Sequence, residues 1–85
     1  MARKELDSRI KNLGQKFAER LRRERQLVNL SQRELSEQAN VPLDTVRSIE
    51  NGRILSPGLF IAADLIRALN GKIDEWIPKR ARSKR

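Results

Sequence analysis

Residues Leu30 to Gly52 read LSQRELSEQANVPLDTVRSIENG, and this stretch decides the fold because its start, stop and turn signals follow one another at helical spacing. Ser31, with Glu34 three residues on, is a capping box: the serine hydroxyl and the glutamate carboxylate each accept from a backbone N–H that a helix start leaves unpaired. Leu30 before the cap and Leu35 in the fourth helical position form the hydrophobic staple that sets the direction of the incoming chain. Asn40 tolerates the left-handed backbone of a C-cap, so this helix ends there. Pro42 has a fixed φ and no N–H, which suits a second helix opening at Pro42 or Leu43. Val41 and Val46 staple it, Val46 and Ile49 face inward, and Gly52 is placed to close it in a left-handed C-cap. Leu43, Asp44, Arg47 and Ser48 are left facing outward.

Two short helices joined by a turn of about three or four residues make a helix-turn-helix, whose second helix can enter the major groove of DNA. The pattern SQxxLxxxAxVxxxxVxxIExG resembles the DNA-binding domain of the Cro and phage-repressor family, also called the xenobiotic-response-element family. The similarity extends from Phe17 to Trp76, through FAERLRRERQLVNLSQ before the motif and SPGLFIAADLIRALNGKIDEW after it. It implies an all-α fold: a five-helix, repressor-type DNA-binding domain with the helix-turn-helix at its centre and a recognition helix over about residues 42–51. Glu24 departs from the family's frequent leucine, a loss that Leu27 and Val28 are expected to offset. Asn29 replaces a common glycine in the bend before Ser31, and asparagine can take the same backbone.

The resemblance also assigns roles. Arg25 stands where the family has an arginine paired with a glutamate near the end of the recognition helix, here Glu50. Gln32, next to Ser31 at the start of the first motif helix, matches a glutamine that grips a DNA phosphate together with free helix N–H groups. Asn51 and Arg53 match positions that hold the backbone of the same half-site, and Ser56 could add a cap-type contact. Sequence would be read by the exposed first half of the second helix. Arg47 suits guanine, Leu43 a thymine methyl, and Asp44 a cytosine amino group or simply the helix dipole. Ser48 is permissive, and Thr45 suits either phosphate or base.

The remaining chain supplies support. Leu6, Ile10, Leu13 and Phe17 form a helical stripe, although Gly14 within it weakens one continuous helix by roughly 1 kcal/mol. This N-terminal extension, residues 1–13, covers the core or forms a dimer contact. The helix-turn-helix domain occupies 14–77. Its first helix, from Gln15 to about Leu27, turns Phe17, Ala18 and Leu21 inward and leaves Arg20, Arg22 and Arg23 on its outer surface. After the RILSP linker, a helix capped by Ser56 with Pro57 at its first position buries Leu59, Ala62, Leu65 and Leu69, flanked by Ile61 and Ile66. Asn70 and Gly71 end it. A last short helix turns Ile73 and Trp76 inward, and Pro78 stops it.

Eighty-five residues allow one domain, and the chain carries neither cysteine nor histidine. Thiolate chemistry is thereby excluded, and the commonest general base and metal ligand is missing, so neither an enzyme nor a cofactor is expected. Apolar runs are too short to span a membrane, and the N-terminus lacks a signal-peptide core. The expected location is cytoplasmic, on the nucleoid. Nineteen basic residues against eleven acidic give +8, of which five positive charges fall in the tail KRARSKR. Such a balance favours a polyanionic partner, while the tail itself, within residues 78–85, reads as disordered.

The leading expectation is a sequence-specific regulator, a repressor or autoregulator, that binds double-stranded DNA as a homodimer on an inverted repeat. An antitoxin-like adaptor that holds a protein partner is the alternative. A third reading is an RNA-binding module working through the basic tail.

Overall fold

The computed structural model describes residues 3–76, with side chains described from residue 8 onward except at Ile73. Five helices occupy this span: α1 (Arg3–Leu27), α2 (Gln32–Ala39), α3 (Leu43–Glu50), α4 (Leu59–Ala68) and α5 (Ile73–Trp76), with no strand among the described residues. The expected tail and the stop at Pro78 lie outside the described residues.

The ends of the first four helices share one device. In each, the chain turns through a residue of positive φ: Asn29 at 60°, Asn40 at 60°, Gly52 at 86° and Asn70 at 61°. Around each runs the same pair of backbone hydrogen bonds, as in Asn40 N to Glu37 O at 3.3 Å and Val41 N to Ser36 O at 3.0 Å. This is the Schellman arrangement, which satisfies carbonyls that the last helical turn leaves without partners. Asparagine takes three of the four positions because its short polar side chain lowers the cost of left-handed backbone. The start of α2 is a complete capping box, with Glu34 N to Ser31 Oγ at 3.0 Å and Ser31 N to Glu34 Oε1 at 2.8 Å. Pro42 precedes α3 with φ −55° and ψ 142°, and its carbonyl accepts from the amides of Thr45 and Val46.

Helix α2 packs on α3 and α4, α1 packs on α3, and α5 on α4. Their shared core is Leu21, Leu35, Val46, Ile49 and Leu65, all without solvent exposure, closed by Ala39, Val41, Ile66 and Trp76. Each fully buried aliphatic side chain contributes about 1.5–3 kcal/mol relative to leaving it in water. Trp76 seals one end, its ring 5.7 Å from that of Phe17 and inclined at 58°. Gly71 makes this closure possible, since a Cβ there would lie 2.6 Å from the Trp76 Nε1.

Several expectations are corrected. Helix α1 runs unbroken through Gly14, and the glycine serves a close approach: an added Cβ would lie 2.3 Å from the Leu55 carbonyl oxygen. The propensity loss is local, whereas the need for a bare backbone comes from a linker 41 positions away. That linker also delays α4, whose N-cap is Gly58 rather than Ser56, because Leu55–Pro57 is spent passing against α1. Leu59 then falls in the first turn and is 63% exposed, while Ile66 moves to the centre of the buried stripe beside Leu65. Leu27 and Val28 are exposed at the end of α1 and do not replace core lost at Glu24. Glu24 itself is half-buried and faces Arg20 at 3.6 Å. Arg20 is no plain surface residue either. Its guanidinium carbon lies 4.7 Å from the Trp76 ring centre, and its Nη1 donates to the Glu75 carbonyl.

Candidate nucleic-acid interface

The outer edge of α3 follows from what its inner edge buries. Val46, Ile49 and Glu50 are buried, and Asp44 and Arg47 are exposed to solvent, with Asn51 continuing the same line at i, i+3 and i+7. Leu43, Thr45 and Ser48 flank this line half-buried. The Ser48 carbonyl is occupied by the amides of Arg53 and Ile54, at 2.9 and 3.0 Å, which curls the chain back immediately after the helix.

Glu50 is the node that joins the two ends of the motif. Its carboxylate is 3% exposed and accepts from Arg25 Nε at 2.8 Å and Arg25 Nη2 at 2.9 Å, a two-pronged ion pair. The Gln32 amide donates to the same carboxylate at 3.0 Å. Arg25 also donates from Nη1 to the Leu30 carbonyl at 2.9 Å, so one guanidinium ties α1, the bend before α2 and the last residue of α3. Hydrogen bonding to Glu50 is the main reason the Arg25 guanidinium titrates above its ordinary value; burial opposes the rise, and the charge of Glu50 adds to it.

Arg22 Nη2 donates to the Glu50 backbone carbonyl at 2.6 Å, fastening the C-terminal end of α3 to α1. The sequence reading missed this role. Arg22 precedes Arg25 by three residues, so helical spacing alone places both on the face that meets Glu50.

This node gathers Gln32, Asn51 and Arg53 at one end of α3. Gln32 is half-buried, with one amide hydrogen committed to Glu50 and its carbonyl oxygen and second hydrogen left over. The Asn51 side-chain oxygen accepts from the Arg53 amide at 3.1 Å, fixing the turn and leaving the Asn51 amide nitrogen outward. Ser31 Oγ is engaged by the Glu34 amide, while the N–H groups of Gln32 and Arg33 lie in the first turn, beyond reach of the helix's own ladder. Ser56 lies apart from this group, exposed on the linker that borders α1.

Two packed helices meeting across a Schellman turn, with an open polar edge on the second and free donors at the start of the first, define a helix-turn-helix DNA-binding protein. The family model described as helix-turn-helix matches residues 21–76, two-thirds of the chain, and the protein belongs to that family, in its Cro and phage-repressor form. Neither a curated protein nor a solved structure matches the chain. The family assignment makes it a DNA-binding transcription regulator in general terms. Among the described residues no helix is long and apolar enough to cross a membrane.

Proposed function

We propose that the protein is a sequence-specific transcriptional repressor or autoregulator, acting in the cytoplasm on nucleoid DNA as a homodimer bound to an inverted repeat. The observation that carries this reading is the exposed line Asp44–Arg47–Asn51 on a helix whose opposite face is anchored by Val46, Ile49 and the Glu50 node. A rigid helix with a free polar edge is what base readout requires. On this reading Arg47 contacts guanine O6 and N7, Leu43 a thymine methyl and Asp44 a cytosine amino group, with Thr45 and Ser48 at the margins. Gln32, supported by Ser31 and the first-turn amides of α2, takes one phosphate, and Asn51 and Arg53 take another. One module of this size offers few base contacts, so two copies on half-sites about 34–36 Å apart would supply the specificity.

Selection of binding sequences from random duplexes tests it. An inverted repeat should emerge. Arg47→Ala should then relax one base position in each half-site, a loss of about 1–3 kcal/mol for the cognate base. Gln32→Ala should weaken all duplexes alike, and Arg53→Ala should in addition reduce the salt slope by about 0.9 per half-site. Equal retention of every duplex sequence by the wild-type protein would defeat the reading.

A further inference from the structure

The family resemblance begins at Phe17 and the matched span at Leu21, so the helical turns Arg3–Lys16 of α1 precede both. Just after them Phe17 and Ala18 reach the core, whereas Ile10 and Leu13 within them, on the same face as Phe17, are 42% and 40% exposed. Leu13 forms the rim of a groove of about 360 Å³ between α1 and the start of α4, walled mainly by Phe17, Leu55, Pro57, Leu59 and Ala62. On the far wall Leu59 is 63% exposed, and Phe60, next in the chain and outside the groove's lining, is 81% exposed, the most exposed large apolar side chain among the described residues. Gly14 against the Leu55 carbonyl holds the two walls in fixed relation.

We propose that this face, built by these turns of α1 and the first turn of α4, is where a second copy of the chain docks. The proposal rests on the homodimer reading above and names its surface. Ile10, Leu13, Leu59 and Phe60 together leave on the order of 400 Å² of apolar surface in water, at the scale that marks interaction sites on monomers. A standard interface buries about 800 Å² on each partner, of which somewhat over half is apolar, so these four side chains and the groove between them supply what one copy must contribute. A two-fold contact also requires one face to carry both a projection and its recess, and here Phe60 projects beside a groove. The chain's own last residues are a poor occupant. IPKRARSKR holds a single large apolar residue and five cations, which an apolar groove would desolvate without pairing.

Sedimentation equilibrium of the full chain without DNA, from micromolar to submillimolar loading, is the test. The wild-type protein should dimerise, and Phe60→Lys and Leu13→Lys should each weaken the dimer by at least about 30-fold. Phe60 is 81% exposed, so Phe60→Lys should leave helicity and melting temperature at low concentration unchanged, which separates lost association from lost folding. Leu27→Lys, in the other exposed apolar patch, should leave dimerisation intact. A wild-type protein that stays monomeric alone and on a palindromic duplex overturns the proposal, as does a dimer abolished by Leu27→Lys but not by Phe60→Lys. So does a monomer in which Phe60 becomes solvent-accessible only when residues 78–85 are removed, since the groove would then belong to the tail. Because self-association is read without DNA, failure of the DNA-binding reading leaves this measurement unaffected.

Discussion

Removing the Glu50 carboxylate should be among the costliest single substitutions in this protein. The carboxylate is 3% exposed and its partner Arg25 12% exposed, so Glu50→Ala leaves a guanidinium nearly out of water with two of its three partnered N–H groups unmatched. Stranding one member of a buried pair costs about 3–5 kcal/mol. A chain of this length holds roughly 4–13 kcal/mol in total, so the loss is a large fraction of it. Urea unfolding followed by circular dichroism measures this directly, and the melting temperature should fall by at least about 12 °C. The pair itself need not contribute that much. Replacing both members with apolar residues, Arg25→Met with Glu50→Leu, should recover most of the loss, because desolvation of both charges is then avoided. Single-substitution losses below about 0.5 kcal/mol, or losses that simply add in the double variant, would place the pair with solvent-screened surface bridges and refute the reasoning.

Three further outcomes are expected. Gly14→Ala should destabilise by about 1–3 kcal/mol despite alanine's helix propensity, since the added carbon meets the Leu55 backbone; a stabilised variant in the same urea assay would show that the linker yields freely. Asn40→Gly should stay within about 0.5 kcal/mol of wild type while Asn40→Val loses about 1–2 kcal/mol, because only the branched residue is strained at φ 60°; equal stability of the two would argue against a left-handed cap. The Arg25–Glu50 coupling from a double-mutant cycle should be the same at about pH 7 and about pH 10. A raised arginine pKa gives stabilisation that is complete below the unfolded value, which already lies well above pH 10, and is lost only as pH rises through the still higher folded value, so a coupling that fades by pH 10 would contradict the hydrogen-bonded pair.

The two motif helices were legible because their signals act over five residues or fewer. Ser31 and Glu34 cap across three positions, and Asn40 and Gly52 close turns whose hydrogen bonds span three and five. Such contacts form or fail on local backbone geometry, so residue type at fixed spacing suffices to read them. The candidate interface divides the same way. The outward set on α3 follows from helical phase, yet Thr45, Leu43 and Ser48 being only half-exposed depends on what packs beside the helix.

By itself, then, the sequence determined the helical pieces, their order, their caps and the family to which the motif belongs. The tertiary structure decided what each piece does to a distant one. Gly14 is a helix breaker until Leu55, 41 residues on, is found beneath it. Arg20 and Arg22 are surface cations until Trp76 and the Glu50 carbonyl arrive from 56 and 28 positions away. Leu59 belongs to an inward stripe until the linker's passage against α1 delays α4 and turns it out. Local hydrogen-bond geometry is encoded residue by residue. Burial is a property of the space that several segments enclose together, and no single segment specifies it.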